Sequence, residues 1–256
     1  MSLAVSREGR LLRLTLARPE KRNALSAELC RALVDAFDGA HHDPAVGAIL
    51  LDAQGEVFCA GMDLKEALEP SAAEHTAIHE RLFTIGSRIA KPIVAAVRGR
   101  ALAGGLGLVA NSHIVVADHD AEFALTEVRI GMWPFVVGRA MSLAIGERRA
   151  VELSLTARVV SAAEALQWGL VHFVCQAAAV EARAREIADA LAHSSADAIS
   201  AGLDFVNRTR ALDWTEAGRI ALEMRAALFA SPDFREGVTA FREKRKPVWP
   251  STERSA

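Results

Sequence analysis

Two glycine turns carry the residues best suited to chemistry: Ala60-Gly61-Met62 and Ala103-Gly104-Gly105. Each follows an apolar stretch and leads into a helix start. Glycine lets the backbone turn sharply, and the first N–H groups of a helix have no acceptor of their own. Two such N–H groups converging on one oxygen would stabilise negative charge developing there, as in enolate or acyl chemistry. Tight packing alone also explains a glycine-rich turn, and spacing cannot show that two turns meet. No G-x-G-x-x-G occurs, so a nicotinamide or flavin site is not expected.

Other reactive residue types offer less. His75 and His79 stand one helical turn apart but lack the H-E-x-x-H pattern and a third ligand, and they read as surface groups. Cys59 adjoins the first turn without a histidine placed to activate it. No metal site is expected. Cys30, Cys59 and Cys175 are widely spaced and odd in number, which suits reduced core thiols in a cytoplasmic protein. The N-terminus shows no signal-peptide core. A net charge of −2 argues against general affinity for nucleic acid or anionic membrane.

The elements that must position the turns follow from hydrophobic periodicity. Leu12, Leu14 and Leu16 alternate with Arg13 and Thr15, giving a half-buried strand that stops at Arg18-Pro19. Ser26 caps a helix whose Leu29, Leu33, Phe37 and Ala40 share a face. Val46 to Leu51, Ile93 to Val97, Ile114 to Ala117 and Val171 to Val174 read as buried strands, and Phe123 to Val128 as extended chain. Glu69 to Ala73 reads as mobile. Ser161-Ala-Ala-Glu164 forms a capping box for a helix that Gly169 stops, and Ser231-Pro232 opens the last helix. Strands joined by helical crossovers predict an α/β fold with a mainly helical C-terminal part.

Five motifs then occur in a telling order: Arg18-Pro-Glu-Lys-Arg-Asn-Ala-Leu25, Phe58-Cys-Ala-Gly-Met-Asp-Leu64, Lys91-Pro92 with Gly99 to Gly107, Glu164-Ala165 with Gly169-Leu-Val171, and Phe241-Arg-Glu-Lys-Arg245. In this the chain resembles the crotonase (enoyl-CoA hydratase/isomerase) superfamily over nearly its whole length. The resemblance implies a spiral of repeated ββα units at 1–195 and a helical oligomerisation region at 196–256, assembled as a trimer or a pair of trimers. It implies an acyl-CoA thioester substrate and no cofactor beyond the coenzyme A of that substrate. The N–H groups of Met62 and Gly104 would hold the thioester oxygen. Lys21, Arg22 and Ala24, with Ala60, Gly61, Asp63 and Leu64, would line the coenzyme path. Phe241 and Lys244 would reach it from a neighbouring subunit. Asp63 otherwise orients the backbone after the first turn.

The acid/base pattern departs from the two-carboxylate hydratases of this family. The first glutamate position is Gly107 here, and the second matches Glu127 between apolar neighbours. A partly buried carboxylate has a raised pKa and moves protons near neutral pH. One such base suffices to shift a double bond from the 3- to the 2-position, which is the expected reaction. Hydration of a 2-enoyl thioester and other thioester chemistry remain open. Trp133-Pro-Phe-Val-Val137 is a second departure, where bulk either reshapes the acyl pocket or only packs the core. A non-catalytic acyl-CoA- or RNA-binding protein on the same scaffold is the rival of a different class, supported only by the basic C-terminal run.

Overall fold

The structure, a computed structural model, describes residues 2–66 and 72–253. Of the stretch expected to be mobile, Glu69 to Ser71 lie outside the described residues. A six-stranded sheet in the order β1-β2-β3-β4-β6-β9 forms its centre. Its strands are β1 (Leu3–Glu8), β2 (Leu11–Leu16), β3 (Ala48–Ala53), β4 (Ile93–Val97), β6 (Ile114–Asp118) and β9 (Phe173–Cys175). β1 and β2 make an antiparallel hairpin, and from β2 onward every pairing is parallel.

The central strands β3, β4 and β6 are buried on both faces, as parallel strands generally are, while edge strand β1 is largely exposed and edge strand β9 partly so. Alternation sorts their side chains into two cores. Ile49, Leu51, Ile93, Ala95, Val97 and Val115 face the larger one. Ala48, Leu50, Val94, Ala96 and Val116 face α7 (Ala177–Ala192), which presents Val180, Ala184, Ala188 and Ala192. Alanines four apart let this helix lie close to the sheet. A Cβ on Gly47 would come within 2.5 Å of the Ala192 carbonyl oxygen.

A smaller sheet, β5-β7-β8, takes the second strands β5 and β7 of successive units, with the two-residue β8 (Val160–Ser161) antiparallel to β7 at its edge. β5 (Arg100–Leu102) follows β4 and leads to α3 (Gly104–Ala110). β7 (Glu122–Ala124) follows β6 and leads toward α4 (Phe135–Ile145). Bridges Val57–Gly99 and Cys59–Ala101 place the chain after β3 alongside β5, giving an earlier copy of the same unit that leads to α2 (Ala72–Phe83). This is the repeated ββα spiral expected from the resemblance. These second strands are too short to carry a periodic signal, and β5 escapes sequence reading.

Other expectations are met in part. Ser26 accepts from the Leu29 N–H and caps α1 (Ala27–His42). Ser161 accepts from the Glu164 N–H to start α6 (Ala162–Trp168), but Glu164 turns to Arg158 instead of completing the box. Phe123 to Val128 is not one extended segment. β7 ends at Ala124, and Glu127–Ile130 winds into a 3₁₀ turn closed by Gly131 at φ 76°. α10 (Pro232–Glu243) is not the last helix, because α11 (Pro250–Glu253) follows it.

The C-terminal helices also include α8 (Ala196–Thr209) and α9 (Trp214–Phe229), and they bury little. No residue of α8 is buried and only Ile220 of α9 is. Asp233 ties their ends together, accepting from Ser195 Oγ and Ser251 Oγ, each at 2.5 Å, and from the Ser251 N–H at 2.8 Å. No described helix is long and apolar enough to cross a membrane.

Candidate active site

The segment after β2 builds the first turn. Arg22 and Asn23 both take positive φ, 51° and 53°, which brings the fully buried Asn23 side chain back against the chain beyond β3. Its Nδ2 donates to the carbonyls of Gln54 (2.9 Å) and Val57 (2.8 Å), and its Oδ1 accepts from the Arg18 N–H. Arg18 donates to the Ala24 carbonyl and pairs with Asp63 at 3.2 Å. Leu25 then takes up both of its backbone bonds with the turn, donating to the Gly61 carbonyl and accepting from the Asp63 N–H. In such an alternating pattern the N–H of the intervening residue, Met62, faces the opposite side. Asn23→Ala is expected to cost about 2–3 kcal/mol through the unpaired buried groups it leaves, read as a lowered urea midpoint.

The second turn lies against the first. Ala103 sits at φ 49°, ψ −119°, held by its N–H to the Ala124 carbonyl. That conformation is strained for any residue with a Cβ, and it swings the chain so that α3 begins at Gly104. The Gly104 N–H is the first of the helix and has no acceptor within it. A Cβ on Gly61 would lie 2.7 Å from Ala103 Cβ and 3.3 Å from Gly104 N, and one on Gly105 would lie 2.3 Å from the Cys59 carbonyl oxygen. These two close approaches require glycine.

Both turns open onto one cavity of 590 Å³, which Glu127 also enters. Ala60, Met62, Leu64, Ala103 and Gly104 line it. Met132 to Val137, including the bulky Trp133-Pro-Phe segment, also line it. Burial raises the Glu127 pKa, while hydrogen bonds from its own backbone and that of Thr126 oppose the rise. Oε2 is buried without a hydrogen-bond partner among the described residues. Arg129 also lines the cavity, but its guanidinium donates to the Ala157 carbonyl at the end of α5 (Glu147–Thr156). The site therefore combines unspent N–H donors with a carboxylate disposed to exchange a proton.

Gly107 explains why a second carboxylate is missing. A Cβ there would lie 2.8 Å from Phe83 Cδ1 and Cε1 and 2.9 Å from Val137 Cγ2. The Phe83 ring and Val137 occupy the space that a side chain at 107 would need.

The model of the enoyl-CoA hydratase/isomerase family matches residues 6–252. This chain belongs to that family. It is 36% identical over 251 residues to enoyl-CoA hydratase EchA19 of Mycobacterium tuberculosis, covering 95% of this chain and 94% of that protein. It is 37% identical to mevalonyl-coenzyme A hydratase sidH of Aspergillus fumigatus over 246 residues, covering 93% of this chain and 91% of that protein. Among solved structures, an enoyl-CoA hydratase of Mycobacterium smegmatis superposes with a TM-score of 0.91 at 34% identity, covering 97% of this chain and 99% of that one. An enoyl-CoA hydratase of Bacillus anthracis gives 0.93 at 27% identity, covering 98% of this chain and all of that one. The protein is accordingly an enzyme of the hydratase/isomerase type with the crotonase fold.

Within this family fold, the sequence-derived residues divide into groups. Met62, Gly104 and Glu127 meet at the cavity, with Ala60 and Leu64 beside them. Gly61 and Asp63 lie behind, one giving close approach and the other anchoring Arg18. Lys21 and Arg22 are exposed, with Ala24 half-buried, on the segment that clamps the first turn. Phe241 and Lys244 are exposed at the end of α10, away from this chain's cavity. Sequence reasoning missed Thr76, His79 and Phe83, which line the cavity from α2. Their spacing of three and four residues puts them on one helix face, the signal that could have found them. His79, read as a surface group, instead stands with its ring centroid 5.9 Å from that of Phe83. The His75 side chain lies outside the described residues.

Proposed function

We propose that this enzyme converts 3-enoyl-CoA thioesters to their 2-enoyl isomers with Glu127 as its single acid/base. The observation that carries the reading is the buried Oε2 of Glu127, without a partner among the described residues, in the cavity onto which both turns open, with the place of a second carboxylate filled by Phe83 and Val137. The Met62 and Gly104 N–H groups donate to the thioester oxygen. Glu127 removes a proton from C2, and the electron pair moves onto that oxygen as a dienolate. The same carboxyl then returns a proton to C4, the electrons re-form the double bond between C2 and C3, and the base is ionised again. Each amide donor contributes on the order of 2.7–4 kcal/mol to the charged intermediate. Coenzyme A enters only as part of the substrate.

The names of the relatives favour a second reading, addition of water to a 2-enoyl thioester. RNA binding without catalysis is disfavoured because Arg245 in the basic C-terminal run is already paired with Glu236 and Glu243. Exposed apolar groups on the C-terminal helices, Phe241 at 84% and Trp214 at 95%, support the oligomer that would bring Phe241 and Lys244 to a neighbour's site.

Incubation with a 3-enoyl-CoA in heavy water tests the assignment by product mass and NMR. Isomerisation predicts a 2-enoyl product without added oxygen. A product one water heavier, formed as readily from the 2-enoyl thioester, makes the protein a hydratase. The rate should fall on acidification through a pKa above the ordinary 4.5 of a free glutamate, because only ionised Glu127 accepts the C2 proton. A profile flat across that range contradicts the assignment.

A further inference from the structure

The cavity that Glu127 enters shares part of its lining with a second cavity. The second has a volume of 380 Å³ and is lined in part by Val109, Ala140 and Leu143. Phe83 and Val136 line both cavities. Phe83 closes α2 and is only 4% exposed. Its ring rests directly on the glycine face of α3, where a Cβ at position 104 would lie 3.0 Å from Cζ and one at position 107 would lie 2.8 Å from Cδ1 and Cε1. Glycines at these positions, three apart and so on one helix face, let an aromatic ring sit against the backbone.

We infer that Phe83 sets the length of acyl chain this enzyme accepts, its ring closing the passage from the Glu127 cavity into the second cavity. The inference rests on the acyl-CoA reading above. A tail shorter than the distance to the ring gains affinity with each methylene it buries, up to about fourfold per carbon. A tail that reaches the ring gains nothing further and must displace packed side chains. Removing the ring joins the two cavities and gives the tail the wall of Val109, Ala140 and Leu143 to follow.

The test is calorimetric titration of the full-length protein with saturated acyl-CoA thioesters from butanoyl to dodecanoyl, which bind without turning over. Wild type is expected to tighten with length and then break. Phe83→Ala should move that break to longer chains, with a tenfold or greater gain for the longest. Phe83→Leu, a smaller change in packing, should move it the same way by less. Ala140→Phe in the Phe83→Ala background refills the second cavity and should restore the original limit. Length profiles that run parallel in wild type and both Phe83 variants overturn the inference, as does a gain insensitive to Ala140→Phe. Absence of binding to any acyl-CoA by wild type removes the acyl-CoA reading itself, a result distinct from a length profile indifferent to Phe83.

Discussion

Replacing Glu127 by glutamine is expected to lower kcat by on the order of 10²–10⁴-fold while leaving acyl-CoA binding nearly intact. The amide keeps the shape of the carboxyl but cannot accept a proton from C2. The Met62 and Gly104 donors remain in place, so the ground-state thioester is still held. Stability should move the other way. Burial raises the Glu127 pKa, so ionising this group costs the native state more than the unfolded chain. That cost is absent at low pH, where Glu127 is protonated in both states, and is fully present once pH passes the folded-state pKa. Glu127→Gln should therefore be at least as stable as wild type at neutral pH, with the advantage shrinking on acidification. Urea unfolding at two pH values checks the sign, and steady-state kinetics checks the rate. A variant that unfolds more easily at neutral pH would show that Glu127 holds the fold together.

Gly107→Glu is expected to destabilise the protein by on the order of several kcal/mol and to abolish activity. The new Cβ alone falls 2.8 Å from the Phe83 ring and 2.9 Å from Val137 Cγ2, and the carboxylate would be forced into the same packed space. Combining it with Phe83→Ala removes the obstructing ring. The double variant should be more stable than the sum of the two single losses predicts, because the substitutions share one volume. It should also hydrate 2-enoyl-CoA faster than Phe83→Ala alone, since a second carboxyl then stands beside Glu127's cavity. Additive losses would mean that Phe83 does not fill the place of the missing carboxylate.

Much of the scaffold was legible because strong local patterns agree with the final packing. The Leu29–Ala40 stripe and the Ser26 cap give α1 from sequence alone, and the unbroken apolar run Ile93–Val97 gives a strand buried on both faces. The second strands were legible only in part: β5 left no signal, and β7 was read as a longer extended segment from Phe123. Residues 100–102 and 122–124 owe their conformation to bridges with distant chain, not to periodicity of their own. The same limit applies to the site. Glycine turns at 61 and 104 could be read as donors, yet their contact depends on Ala103 and on the Asn23 clamp, which connect segments far apart in the chain. Glu127 was legible by motif order, but its 3₁₀ turn was not, because Gly131 and the Glu127 carbonyl–Met132 N–H bond set it only once the fold is formed. Phe83 had no signal at position 107 beyond the smallness of glycine.

The most direct measurement of the single-base account follows a deuterium atom. A 3-enoyl-CoA labelled at C2 would be turned over once in light water, and the product examined by NMR for label at C4. One shielded carboxyl that removes and returns the proton predicts that part of the deuterium reappears at C4. Complete loss of the label to solvent, with oxygen added at C3, would contradict the account.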